Sequence, residues 1–543
     1  MWDYNKKVLK IPDDFIQIDL SGTVYPVISA AHLISLIRHC RAGQKEKAVR
    51  SDERIMNWGI LAFVIIYEVL TVLVVGAIIA RKNKQAGEEG NFAFAGNGLP
   101  TAQVGVTLAL TMLGSAHIWG TCENAASMGA IAVWFGIGCT VMMIVITQIT
   151  GPWVRKIGTA TIPDLFGKLF GSKMRILTAC VMGPLVFGCL CLETQCVAVT
   201  FVACTGWPYM VGAIVGGAFG IFYVLLAGMK EVSWLNMINA VFMYGALIVA
   251  LIAMFVCLPG NGWADVEQNI NAMGNGWMLD IFGNKDLIIS FAIPTIFCTS
   301  MFQGVSQMGL QTCIAAKDVK SVKKSIWLAG PVNGLFCIIP ALLGIAALAL
   351  GYLSKAGSAM FMTPAMLLEV LPHWVVALIC ASFLGALLST FAMTSLCPAT
   401  IFAYDLYGGL YKPEASEKEK TRVMRIMIVV VGILAIALSS FQPAVVTTIN
   451  WIFTWGVPMF VMLVIGLCWK RNTKAAVITY IVSWIANVIW VTCGLMDKLE
   501  MTNFHQVYLC TIISVALGLI LTAVLPGSKP GYFRLSKEER EAC

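Results

Sequence analysis

The chain has 543 residues, of which 58% are hydrophobic and 12% charged, and it carries a net charge of +8. That composition excludes an ordinary soluble domain, and apolar runs of roughly 18 or more residues recur along nearly its whole length, as in a polytopic helical membrane protein. The positive charge lies in the loops between those runs, where it reports topology and not nucleic-acid binding.

Residues 1–56 come first as an N-terminal segment. Within it, residues 15–38 are only moderately apolar, contain Asp19, His32 and Arg38, and lack the basic start and cleavage site of a signal peptide. An interfacial helix is expected there, with a fourteenth span as the alternative. Thirteen spans then follow, at 57–80, 99–122, 127–150, 175–204, 207–228, 233–257, 287–314, 322–352, 373–404, 423–441, 446–468, 474–495 and 505–525. They divide into a peripheral first helix and loop (57–98), two sets of five spans (99–257 and 287–470) separated by an extracellular loop (258–286), two peripheral helices (471–526) and a tail (527–543).

Every second loop is basic. Arg81, Lys82 and Lys84 follow the first span; Arg155, Lys156, Lys168, Lys173 and Arg175 the third; Lys317, Lys320, Lys323 and Lys324 the seventh. Lys412, Lys418, Lys420, Arg422 and Arg425 follow the ninth, and Lys470, Arg471 and Lys474 the eleventh. The positive-inside rule then puts the start of the first span outside and the C-terminus in the cytoplasm of a cell-membrane protein. Residues 41–54, with Arg41, Lys45, Lys47, Arg50 and Arg54, disobey that pattern. Of 18 cysteines most lie inside spans, where a thiol behaves as a small hydrophobe, and Cys189, Cys191 and Cys196 have no zinc-spaced partner. No transition-metal site and no cofactor is expected.

Five spans per half is an odd number, so the second half must be inverted in the membrane. The expected fold is all-α, a 5+5 inverted repeat whose first helix is broken in each half. The second span offers Leu113-Gly114-Ser115-Ala116-His117-Ile118-Trp119-Gly120, and the seventh offers Pro294 and then Thr299-Ser300-Met301-Phe302-Gln303-Gly304. Polar residues with glycine in corresponding helices point to a binding site, whereas close helix packing would account for either helix taken alone. The ninth span carries an adjacent hydroxyl pair, Ser389-Thr390, in an otherwise apolar helix that ends at Tyr404-Asp405-Leu406-Tyr407. Two neutral oxygen ligands side by side suit a weakly held hard cation, although bonding back to the preceding turn also satisfies hydroxyls in membrane helices.

Several of these residues resemble the solute:sodium symporter family, which includes sodium-coupled carriers for proline, sugars, sialic acid, pantothenate and choline. The resemblance covers about residues 57–470 and rests on three segments in order. They are Thr161-Ile162-Pro163-Asp164 with Lys168-Leu169-Phe170-Gly171-Ser172-Lys173, Ala315-Ala316-Lys317-Asp318, and Ser389-Thr390 with Asp405-Leu406-Tyr407. It implies a leucine-transporter-like fold and a sodium site made by the Ser389 and Thr390 hydroxyls and the carbonyls of Ala386, Leu110 and Leu113. The chain departs from the family at Ser233-Trp234-Leu235-Asn236, where members often carry an aspartate last, and at Met112, where some carry one. The missing carboxylate at Asn236 argues for one sodium, and leaves a proton-coupled or uncoupled carrier of the same fold as the alternative.

The same resemblance implies a solute held between the broken helices and the third and tenth core helices. That region offers Ser115, His117, Trp119 and Thr121, then Glu193, Thr194 and Gln195, then Thr299, Gln303 and Gln307, and finally Asn450, Trp451 and Trp455. Glu193 stands out, because an ionisable group deep in a membrane helix costs several kcal/mol. It is read either as a recogniser of cationic charge or as a structural carboxyl. His117 is either a proton site or a neutral inter-helix bond, and the tryptophans either box a cation or anchor the interface. Glu68 also calls for a partner but is expected outside the transport core.

The expected function is sodium-driven import of a small polar organic solute by alternating access, with solute, sodium and lipid as partners. A polytopic membrane enzyme would need a catalytic cluster, and His32, His39, His117, His373 and His505 are scattered. A transporter-like sensor would need a longer output segment than residues 527–543 supply.

Overall fold

The computed structural model describes residues 2–3, 8–9, 16–18, 24–26, 59, 62–71, 73–74, 78, 92–226, 228–499, 501 and 503–541. The chain divides into two units, Met1–Met56 and Asn57–Cys543. In the first, β1 (Trp2–Asp3) pairs antiparallel with β2 (Val8–Leu9), and β3 (Ile16–Ile18) with β4 (Val24–Pro26). Where an interfacial helix was expected, the described residues are therefore paired strands. The remainder of 15–38, and the basic stretch 41–54, lie outside the described residues.

The second unit is a helical bundle, the form that satisfies every backbone group internally at bilayer depth. Ten of its described helical segments are long and apolar enough to cross a membrane, and four more are shorter apolar helices. The chain is a multi-pass integral membrane protein. Each expected span has a helical counterpart, but the count of thirteen full-length spans does not follow. The first span contains the short α1 (Ala62–Thr71), and the second is cut in two.

The first half starts with α2 (Thr101–Met112), which stops at Leu113 (φ −84°, ψ 61°), and resumes through the π-helical turn Ala116–Gly120 into α3 (Thr121–Met128). Next come α4 (Trp134–Ile144) and α5 (Gly151–Ile157), joined by a second π-helical turn, and the loop helix α6 (Ile162–Phe170). The half closes with α7 (Ser172–Thr205), α8 (Tyr209–Leu226) and α9 (Met229–Cys257). The connection carries α10 (Trp263–Ala272).

The second half repeats the plan. Helix α11 (Ile293–Gln303) breaks at residues 304–306 before α12 (Gln307–Ala315), whose first turn is capped by the Ser306 hydroxyl accepting from the Met308 N–H. After α13 (Val319–Lys324) come α14 (Ile326–Phe336) and α15 (Ile338–Ala349), then the loop helices α16 (Tyr352–Ala356) and α17 (Ala359–Val370). The long α18 (His373–Ile401) runs on in a π-helical segment to Tyr411, and α19 (Glu417–Leu438), α20 (Val445–Thr454) and α21 (Val457–Cys468) complete the half. Two further helices, α22 (Thr473–Thr492) and α23 (Gln506–Val524), pack on each other. In both halves a loop helix, α6 or α17, leads directly into the third helix, as an inverted repeat requires.

Helix α18 lies at the centre, packed on α2, α7 and α9, and its face from Val375 to Ile401 is buried almost without exception. Every polar group it carries must therefore find a partner inside the protein.

Candidate ion and solute site

The two chain breaks face the middle of α18 and α7. At the first break the Thr390 hydroxyl donates across to the Leu110 carbonyl at 3.0 Å and shares its proton with the Ala386 carbonyl on its own helix at 3.4 Å. Ser389 beside it is fully buried, and its hydroxyl has no hydrogen-bond partner among the described residues. Leu113 sits at the break itself, its amide bonded to Ala109 at 3.1 Å. Three oxygens named from sequence, those of Leu110, Ala386 and Thr390, thus meet where α2 ends against α18, and Ser389 is the neighbour of Thr390 on that helix. All are uncharged, a donor set suited to a weakly held monovalent cation.

Glu193 on α7 meets the other side of the same break. Both its carboxylate oxygens accept from the Ser115 N–H at 3.0 Å, and one accepts from the Ser115 hydroxyl at 2.7 Å. A carboxylate at the first amides of a helical segment is favoured by the unpaired N–H groups and the helix dipole. Gly114 makes that approach possible, since a Cβ there would lie 2.4 Å from a Glu193 oxygen.

Next to this contact is a small cavity of about 30 Å³, room for a water and not for an organic solute. Met112, His117, Glu193, Gln303, Thr390 and Phe453 are among the residues lining it. His117 Nε2 and Gln303 Oε1 are buried without partners among the described residues.

The remaining expected solute residues do not join them. The Trp119 indole donates to the Thr200 hydroxyl at 2.8 Å and packs edge-on against Phe383, tying the resumed helix to α7. Thr121, Thr194 and Thr299 donate back to carbonyls of Ala116, Leu190 and Thr295. Asn450 donates to the Thr295 hydroxyl at 2.9 Å, so it clamps α20 to α11. Gln195, Trp451 and Trp455 line a separate apolar groove between α7 and α20. Gln307 reaches the other way, accepting from the Ile162 N–H at 2.8 Å and donating to Gln311 at 3.2 Å.

The partner that sequence sought for Glu68 is a buried junction of the first span with two helices of the bundle. Glu68 on α1 is fully buried, next to Gly385 of α18 and Asn239 of α9. Its length of polar side chain in an apolar helix was the available signal.

A family model for the sodium:solute symporter family matches residues 92–482. The chain belongs to that family. Among curated symporters and transporters, the osmoregulated proline transporter OpuE of Bacillus subtilis (strain 168) is 24% identical over 435 residues, spanning 75% of this chain and 84% of OpuE. Among solved structures, a substrate-bound, outward-open Na+-coupled sialic acid symporter superposes with a TM-score of 0.71 at 17% identity, over 87% of this chain and 99% of that one. MHP1, a nucleobase-cation-symport-1 family transporter in a closed conformation with bromovinylhydantoin bound, gives 0.52 at 11% identity, over 81% and 96%. These likenesses establish for this symporter the fold of a broken-helix inverted repeat.

Proposed function

We propose that this symporter couples inward movement of one sodium ion to that of a small polar organic solute. The ion would be held by the hydroxyls of Ser389 and Thr390 and the carbonyls of Ala386, Leu110 and Leu113. The observation that carries this reading is the Thr390 hydroxyl bridging the Leu110 and Ala386 carbonyls across the break, beside an unpartnered Ser389. Sodium would supply the partner that Ser389 lacks and replace weak hydrogen bonds by ligation, drawing α18 onto the end of α2.

The solute would sit where the 30 Å³ cavity opens, between Glu193, His117 and Gln303. Acceptors dominate there, and the Ser115 N–H at the break, which could hold a solute carboxylate, is already occupied by Glu193. That arrangement favours a solute offering donors, such as an amine, over an organic acid. The C-terminus would face the cytoplasm, with the basic loops.

Replacing Ser389 and Thr390 by Ala tests the ion assignment in reconstituted vesicles. Losing ligands worth about 1–3 kcal/mol should raise the sodium concentration for half-maximal uptake roughly tenfold or more. Unchanged sodium dependence refutes it.

A further inference from the structure

Glu68 is the acidic residue in the bundle core with neither carboxylate oxygen bonded among the described residues. It projects from α1 into a junction of three helices. A Cβ added to Gly385 would lie 3.1 Å from Glu68 Oε1 and 3.3 Å from Asn239 Nδ2, so the two side chains converge on the one position of α18 that has no side chain. Asn239 is held there from both sides, donating to the Gly385 carbonyl at 3.4 Å and accepting from the Tyr67 hydroxyl at 3.3 Å. Tyr67 in turn stacks on Phe242 with ring centroids 4.1 Å apart.

Gly385 adjoins Ala386 and lies one helical turn from Ser389 on the same face of α18. The ligands assigned to sodium carry no formal charge, and Glu68 is a fixed carboxyl one turn away. We propose that Glu68 is a proton-binding site linked to the sodium site, neutral when protonated and giving up its proton as sodium binds. The inference rests on the sodium assignment above.

Two features favour a proton over a second sodium. A buried carboxylate without partners is far more costly than the neutral acid. The atoms nearest a Cβ at Gly385 are a Glu68 oxygen and the carbon and nitrogen of the Asn239 amide, and that nitrogen is a donor, which a hard metal ion does not take as a ligand. The ionisable neighbours are tyrosines: Tyr67 on the same helix and Tyr223 on α8, within electrostatic range of Glu68. On α9 and α18, Glu231, Tyr244 and Cys380 lie a turn or more from Asn239 and Gly385.

The sign of the coupling follows from charge. An ionised Glu68 attracts sodium and a protonated one does not, so raising the pH should tighten sodium binding, and sodium should expel the proton by the same factor. The half-saturating sodium concentration should fall about fivefold or more between mildly acidic and alkaline pH. Glu68→Gln, an isosteric and neutral side chain, should fold normally, lose that pH dependence and keep the weak, acid-like affinity. Sodium added to weakly buffered protein should release protons from the wild type and not from Glu68→Gln. Proton release that persists in Glu68→Gln and vanishes in Glu193→Gln assigns the proton to Glu193 and overturns the proposal. A lowered sodium Hill coefficient in Glu68→Gln also overturns it, by making the carboxylate a sodium ligand. Infrared titration of the carboxylic C=O band in sodium-free buffer reads Glu68 directly, so failure of the Ser389 and Thr390 test leaves this measurement standing. Absence of a band difference between wild type and Glu68→Gln refutes the proton site.

Discussion

Glu193 caps the broken helix through Ser115, and on the proposed reading it also presents a negative charge to the cavity. Glu193→Gln distinguishes the two roles, because an amide oxygen still accepts from Ser115 while the charge is gone. If the solute carries a positive charge, the variant should bind it roughly tenfold or more weakly, about 1.4 kcal/mol, with folding intact. Normal binding in a ligand screen across amines, amino acids, sugars and organic acids would leave Glu193 a cap alone. Gly114→Ala removes the cap by another route, since its methyl would strike the carboxylate at 2.4 Å. Sequence exposed Glu193 as unusual because ionisable groups are rare in such a helix, but its partner Ser115 lies 78 residues away and has no local signature. Trp119 shows the converse. Its position beside the break drew attention, and its indole proves to be satisfied by Thr200 on α7.

At the scale of elements, α6 binds the basic end of the bundle together. Thr161 caps it, accepting from the Asp164 N–H at 3.1 Å, and Pro163 suits its first turn. The Thr161 hydroxyl donates to Asp405 at 2.9 Å, and the Arg175 guanidinium donates to the same oxygen at 2.8 Å and faces Asp164 at 3.4 Å. Through Gln307 the start of α6 is also joined to α12, beyond the second break. Any opening of that end has to separate these contacts. Arg175→Ala leaves Asp405 buried without its cation and should cost roughly 3–5 kcal/mol, less for Arg175→Lys, read as a lower thermal midpoint in detergent. A midpoint equal to wild type would show that the pair bears no load. Both motifs were visible in the sequence, but Thr161 and Asp405 stand 244 residues apart, and only the fold joins them. Hydrophobic length marked most spans, yet α2 is short because the chain breaks at Leu113, so length alone could not fix the number that cross.

Across the whole molecule, inversion of one half against the other brings the first break against α7 and α18, and on the proposed sodium assignment that junction sets how many ions are held. Helix α18 carries two pairs of adjacent hydroxyls, Ser389-Thr390 at the end of α2 and Thr394-Ser395 a turn further on, and the second pair donates to the Thr390 and Phe391 carbonyls of its own helix. On α9, Asn236 is fully buried, with both side-chain polar atoms unpartnered among the described residues. An amide supplies an oxygen but no charge, and a second sodium beside the first would meet repulsion with nothing fixed at Asn236 to offset it. At Gly385 the carboxyl that approaches α18 is that of Glu68, the proposed proton site. One sodium per transport cycle is the expected stoichiometry, giving a sodium Hill coefficient near one at constant pH, and Asp at position 236 should not be needed for activity. A Hill coefficient clearly above one, or a measured flux ratio of two sodium ions per solute, would require a second ligand set and place Asn236 within it.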